Sequence, residues 1–165
     1  MNWFDSPALN PYLLLKTLHI LSSVVLVGTG FGTAFYLFMI HRTRNLQAIA
    51  PVARLVCKAD WWFTAPAVII QPVSGILLAH MAGWPLSTPW LALALGLYVV
   101  TGACWLPVVW LQLRLRDMAQ HALETGQSTL PPLYWRYAKW WEVLGYPAFA
   151  AMMAVYYLMV VKPTF

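Results

Sequence analysis

The sequence predicts an all-α membrane protein, a single domain of residues 1–165 that crosses the bilayer four times as a helical bundle. Hydrophobic residues make up 61% of the chain and charged residues only 9%, against about 25% charged in an average soluble domain. The chain also contains four apolar runs of at least the roughly 20 residues that a spanning helix needs. Water could not solvate so much apolar surface, whereas a bilayer can.

The four predicted spans are residues 11–40, 61–82, 89–111 and 143–161. Asn10 and Pro11 form a favourable start for the first helix. Thr88 and Pro89 open the third in a similar way, and the fourth stops before Pro163. The first span is longer than a bilayer requires, so we expect it to tilt or to extend beyond the hydrocarbon.

Basic residues between the spans predict the orientation of the protein. Two segments, after the first and after the third span, each carry four of them: Arg42, Arg44, Arg54 and Lys58, then Arg114, Arg116, Arg136 and Lys139. The positive-inside rule places both segments in the cytoplasm and both termini outside a bacterial inner membrane. Both segments look amphipathic and helical, so we expect them on the inner surface, with anionic lipid rather than nucleic acid as partner.

Polar residues inside an apolar span require a partner or a function, because burying them in hydrocarbon costs free energy. His19 lies eight residues into the first span, or roughly 12 Å at 1.5 Å per residue. Gly28 and Gly30 follow on the same helix and would leave room for a flat ligand. Two interpretations of His19 stay open: a haem ligand, or a hydrogen-bonded histidine that ties the first two helices together, for example through Gln71.

The haem interpretation also needs candidates for a second axial ligand. Projection of the fourth helix places Met153 on its inward face, at about the depth of His19, and a thioether can complete haem coordination. His80 is the alternative, although it projects from the opposite side of its helix. Since the sequence has no CxxCH motif, the haem would be a non-covalent haem b. No catalytic residue is predicted.

Charged residues at the inner boundary are expected to be structural. Asp60 and Glu142 begin the second and fourth spans, where a negative charge complements the helix dipole. The basic neighbours Arg54, Lys58, Arg136 and Lys139 are expected to pair with these two acids. Gln71 would satisfy a backbone carbonyl that the following proline leaves free.

Several stretches resemble a known family: KTLHILS, ADWWFTAPAVIIQPVSG, ACWLPVVWLQ and the terminal VKP. Over nearly its whole length the chain resembles the uncharacterised bacterial family of integral membrane proteins called domain of unknown function 2269. More distantly it is similar to HemJ, the membrane protoporphyrinogen oxidase, and to CopD-like membrane domains. The HemJ likeness implies a small helical bundle that binds haem b through His19. The lysine of the HemJ pattern is missing from Trp90–Leu95, so the likeness does not imply that this chain catalyses the oxidase reaction.

Three functions follow as hypotheses. The first is a redox or haem-handling protein with haem b at His19. The second is a non-catalytic accessory subunit of a larger membrane complex or a homo-oligomer, since the chain is small and lacks a strong motif. The third is a small transporter of a metal or solute, as the CopD likeness suggests.

Overall fold

The computed structural model describes residues 10–164, and these residues form helices and turns without any strand. The helices are α1 (Pro11–Arg42), α2 (Leu46–Ala59), α3 (Ala65–Met81), α4 (Pro89–Glu124) and α5 (Pro132–Val161), with a π-helical turn (Asp60–Thr64) between α2 and α3. Because that turn is continuous with both neighbours, Leu46–Met81 is one long helix. The described residues thus contain four helices long and apolar enough to cross a membrane, which confirms the predicted four-span bundle.

The first helix starts where the sequence predicts. Asn10 Oδ1 accepts hydrogen bonds from the backbone N–H groups of Tyr12 at 2.9 Å and Leu13 at 3.4 Å. Pro11 takes the first helical position, where its missing N–H costs nothing. At the other end, Arg44 adopts a positive φ of 56° and turns the chain into α2.

The amphipathic segment after α1 is helical, as expected, but its apolar face packs against protein. Leu46, Ile49, Ala53 and Val56 of α2 are all buried, and α2 contacts α4 and α1. Every third or fourth residue of α2 is therefore part of a core. The expectation that this face lies against the membrane surface is wrong, because α4 covers it.

The second basic segment is not a separate element. The third predicted span ends at residue 111, yet α4 continues to Glu124. The fourth was predicted from residue 143, yet α5 already starts at Pro132. At 36 residues, α4 is roughly 54 Å long, well beyond the bilayer core of about 30 Å. Charged residues in these extensions ended the apolar runs without ending the helices.

The helices pack as two hairpins: α1 lies along α3, and α4 lies along α5. The eight basic residues of the two predicted cytoplasmic segments lie at one end of the molecule, which we call the basic end. The other end, where α1 begins and α5 finishes, is the terminal end. At the basic end α2 joins the hairpins through the basic-end core, whose most buried members are Leu37, Ile49, Leu115 and Tyr134.

Between the hairpins, away from the basic-end core, lies a seam that is bridged by two small apolar clusters, one around Leu26 and Met152 and one around Ala79 and Leu91, and by two hydrogen bonds. The Tyr156 hydroxyl of α5 donates to the Ser23 carbonyl of α1 at 2.9 Å. The Tyr98 hydroxyl of α4 donates to the Val68 carbonyl of α3 at 2.7 Å. Two cavities occupy the rest of the seam.

Candidate functional site

His19 is held by hydrogen bonds to α3 at both ring nitrogens. Its Nδ1 lies 2.8 Å from Ser74 Oγ, and its Nε2 lies 3.2 Å from Gln71 Nε2. The Ser74 hydroxyl donates to the Ile70 carbonyl at 2.6 Å, so its oxygen is left to accept from the histidine. These roles assign the proton to Nδ1 and the lone pair to Nε2.

Gln71 is oriented by a further residue of α1. The buried Ser22 hydroxyl donates to Gln71 Oε1, which directs the amide nitrogen toward His19. His19, Ser22, Gln71 and Ser74 form what we call the histidine cluster. Its bonds confirm that His19 ties the first two membrane helices together through Gln71. The prediction that Gln71 satisfies a carbonyl freed by Pro72 is not needed to explain its amide, because both amide atoms have side-chain partners.

A glycine makes room for the imidazole. A Cβ placed on Gly75 would lie 3.1 Å from His19 Cε1, closer than side chains normally pack. The sequence places Gly75 on the helix face that carries Gln71 but does not predict this contact. One signal was available: Gly75 follows Gln71 by four residues, so the two positions share a helix face.

The histidine cluster borders a cavity of about 440 Å³ in the terminal half of the seam, which we call the histidine cavity. Ligand pockets commonly measure about 300–1,000 Å³. His19, Gln71 and Gly75 line one side, and α4 and α5 line the other with mostly apolar side chains. The cavity therefore offers an apolar volume with one imidazole in its wall.

Two lysines and a tryptophan line the terminal end of the same cavity. Lys16 and Lys162 both border it, and Lys162 Nζ lies 5.8 Å from the centre of the Trp90 ring. The Trp90 side chain is buried, and its indole N–H has no acceptor among the described residues. Buried donors nearly always have partners in native proteins. The two cations favour an anionic group at this place.

The predicted second ligands lie elsewhere. Met153 is 39% exposed and His80 is exposed, and neither lines the histidine cavity. The expectation that Met153 faces inward is wrong, since the seam lies about one residue's rotation, 100°, from the projected face. Its neighbour Met152 is buried and lines the cavity, as does Met159.

The two predicted glycines do not border His19. Gly28 is exposed and lines neither cavity, whereas Gly30 lines the second cavity, nearer the basic end. An added Cβ at either position would meet no heavy atom within 4 Å. The helix–helix contact that does require a glycine is the one at Gly75.

The polar residues at the basic end form a different network from the predicted one. Asp60, in the π-helical turn, accepts from Thr64 Oγ1 at 2.9 Å and from Gln112 Nε2 at 2.8 Å. Arg54 is exposed and takes no part in these bonds. The predicted pairing of Asp60 with a basic residue is wrong, because Gln112 of α4 reaches the carboxylate instead. Glu142 does pair with Lys139, at 3.4 Å.

The described residues hold no cluster of three or more His, Cys, Asp or Glu side chains that could bind a bare metal ion. A metal at His19 would need most of its ligands from a bound group. In haem, the macrocycle supplies most of the ligands of the iron. The donor set of the histidine cavity fits that group: one imidazole nitrogen, two thioethers, and cations for carboxylates.

Residues 13–163 match the family described as "Predicted integral membrane protein (DUF2269)". The match covers nearly the whole chain, so the chain belongs to this family. It is accordingly a multi-pass integral membrane protein. No curated protein and no solved structure matches it.

Proposed function

We propose that this member of the DUF2269 family binds haem b in the histidine cavity, with His19 Nε2 as an axial ligand. The observation that carries the proposal is the pair of bonds on the imidazole. Ser74 Oγ accepts a hydrogen bond from Nδ1–H, so Nε2 holds the lone pair that a metal requires. In metal sites the second ring nitrogen is almost always bonded in this way, which fixes the tautomer and the ring orientation.

Gln71 is the residue that haem binding would have to move. Its amide nitrogen lies 3.2 Å from Nε2, where the iron would come. A neutral amide–imidazole hydrogen bond contributes only about 0.5–1.5 kcal/mol, so a bond from Nε2 to a haem iron would outweigh it. Gln71 would then be the residue that satisfies His19 whenever the haem is absent.

The terminal end of the cavity supports the same ligand. Haem b carries two carboxylates on an apolar macrocycle. Lys16 and Lys162 would pair with the carboxylates. A thioether from Met152 or Met159 is the available second ligand, in place of Met153 or His80.

Bound haem would supply one-electron chemistry, with its potential set by the axial ligands and the apolar surroundings. We therefore propose a redox or haem-handling role. The protein's own contribution is to hold the imidazole in one tautomer, to pair the carboxylates and to exclude water with the apolar walls of α4 and α5.

The distribution of charge supports the proposed location and orientation. Eight of the ten Lys and Arg residues lie at the basic end, and the remaining two, Lys16 and Lys162, at the terminal end. We propose that the basic end faces the cytoplasm of a bacterial cell and that the histidine cavity opens toward the outer leaflet. A reporter that is active only in the cytoplasm should be inactive when fused after residue 165. Its activity there would contradict this orientation.

An absorption spectrum tests haem binding directly. The full chain, expressed with added haem precursor and purified in mild detergent, should show a Soret band that shifts on reduction. His19→Ala should abolish the band. His80→Ala is the matched control, because this histidine is exposed near the same end and lines neither cavity. Wild-type protein that is folded but has no Soret band would overturn the proposal.

A further inference from the structure

Two methionines of α5 line the histidine cavity, and either thioether is chemically suited to be the second axial ligand. Met152 and Met159 are seven residues apart, which is close to two helical turns, so they lie on one face of the helix. Along the helix axis they are separated by roughly 10.5 Å, at 1.5 Å per residue. The register of α5 against α1 therefore decides which of them lies at the depth of His19.

Two contacts across the seam fix that register. Phe31 of α1 stacks on Phe149 of α5, with ring centres 5.2 Å apart and planes at 29°. Nearer the terminal end, the Tyr156 hydroxyl of α5 donates to the Ser23 carbonyl of α1 at 2.9 Å. Between these contacts α1 spans eight residues and α5 spans seven. The two antiparallel helices thus stay in register to within about one residue, roughly 1.5 Å.

The same register places Met159 at the depth of His19. Counted from the tyrosine contact toward the terminal end, His19 lies four residues away on α1 and Met159 three residues away on α5. Side chains lean toward the N-terminus of their own helix, so those of α1 and α5 lean in opposite directions. Because the Phe31–Phe149 pair has the same opposite lean, the comparison of depths is unaffected.

Met152 lies at the other end of the histidine cavity. Together with Leu26 and Tyr98 it lines both cavities of the seam, so it is located where they meet. It is buried in a small apolar cluster that includes Leu26. On α1, Leu26 lies seven residues from His19, or roughly 10.5 Å toward the basic end. Met159, by contrast, lines the histidine cavity and not the second cavity.

We propose that Met159 is the second axial ligand, opposite His19, when the histidine cavity binds haem b. This inference rests on the proposed function and adds which of the two thioethers reaches the iron. The lysines agree with it. Lys16 precedes His19 by three residues on α1, and at the end of α5 Lys162 likewise follows Met159 by three. Each ligand thus has a lysine about one turn nearer the terminal end, where the haem carboxylates would lie.

The spectrum of the haem-loaded full chain tests this assignment. A thioether bound to ferric haem produces a weak near-infrared charge-transfer band, and it also raises the reduction potential. Met159→Leu should abolish the band and lower the midpoint potential, while the Soret band remains because His19 still holds the iron. Met152→Leu is the matched control, since it removes the other thioether of the cavity at nearly the same volume. It should leave the band and the potential unchanged.

A further variant tests whether position 159 reaches the iron. Met159→His should give a six-coordinate low-spin spectrum without the thioether band, because the new imidazole would bind in place of the thioether. A band that survives Met159→Leu, or one that disappears in Met152→Leu, would overturn the assignment. Wild-type protein with a Soret band but no thioether band would also overturn it and would leave haem binding at His19 intact. Folded wild-type protein without a Soret band would overturn both proposals.

Discussion

The two halves of the molecule are held together differently. At the basic end, α2 fills the space between the hairpins, and side chains such as Ile49, Leu115 and Tyr134 are wholly enclosed by protein. The Tyr134 hydroxyl also bonds His41 Nε2 at 2.8 Å. In the terminal half no further helix fills that space, and two small apolar clusters, two tyrosine hydroxyls and a phenylalanine pair bridge the seam.

This difference in packing follows from the solvent around each half, water or hydrocarbon. Outside the hydrocarbon, apolar side chains are driven together by water, so a closed core forms. Inside it, lipid tails are as apolar as the side chains, and helices associate through close packing and hydrogen bonds instead. Cavities that would be costly in the basic-end core are tolerated in the seam, where lipid or a ligand can fill them.

The largest expected effect is in the basic-end core. Leu115→Ala removes a wholly buried side chain and should lower the free energy of unfolding by about 2–5 kcal/mol. Denaturant unfolding in detergent, followed by circular dichroism, measures the change. Leu113→Ala on the same helix is the control, because Leu113 is 38% exposed. If the two substitutions cost the same, the core does not carry the stability of this end.

The next effect is at the close contact beside His19. In Gly75→Ala the new methyl group would lie 3.1 Å from the imidazole, so the ring must shift and its bonds to Gln71 and Ser74 must lengthen. We expect a loss of about 1–3 kcal/mol, as for other overpacked sites. Unfolding measures the loss, and nitrogen NMR of labelled histidine should show the tautomer becoming mixed. Gly96→Ala, which meets no neighbour, should be neutral or slightly stabilising, and an unchanged His19 spectrum in Gly75→Ala would contradict the contact.

The smallest effect is at a bridge across the seam. Tyr156→Phe removes the bond to the Ser23 carbonyl and should cost about 0.5–1.5 kcal/mol. A disulfide-trapping pair across the seam should at the same time form faster, because the hairpins separate more often. Tyr157→Phe is the control, since this neighbouring side chain is 64% exposed. Equal trapping rates in both variants would mean that the tyrosine does not hold the hairpins together.

The sequence predicted the number and type of helices because an apolar run of about 20 residues is stable in hydrocarbon and not in water. The charged residues, by contrast, led to wrong predictions of the helix ends. α4 and α5 continue through residues 112–124 and 132–142, because a helix with charged residues is stable in water. The buried face of α2 could be recognised as amphipathic, but its spacing does not say whether protein or membrane covers it.

The candidate site was predictable in part. His19 and Gln71 could be placed on facing sides of two helices, since polar groups in hydrocarbon must find one another. The prediction named Met153, and not its neighbour Met152, because a projection at 100° per residue gives a face but not the direction of the seam. The role of Gly75 depends on a distance of a few tenths of an ångström, which no residue pattern contains.

The π-helical turn Asp60–Thr64 decides how α2 and α3 are phased. A π turn accommodates one residue more than an α turn. It therefore changes the spacing in the sequence between the residues of α2 that face the core and the residues of α3 that face His19. The turn thus sets the rotation of α3 about the helix axis relative to α2. A residue lost from α3 before Gln71 would swing Gln71 and Ser74 about 100° away from the imidazole.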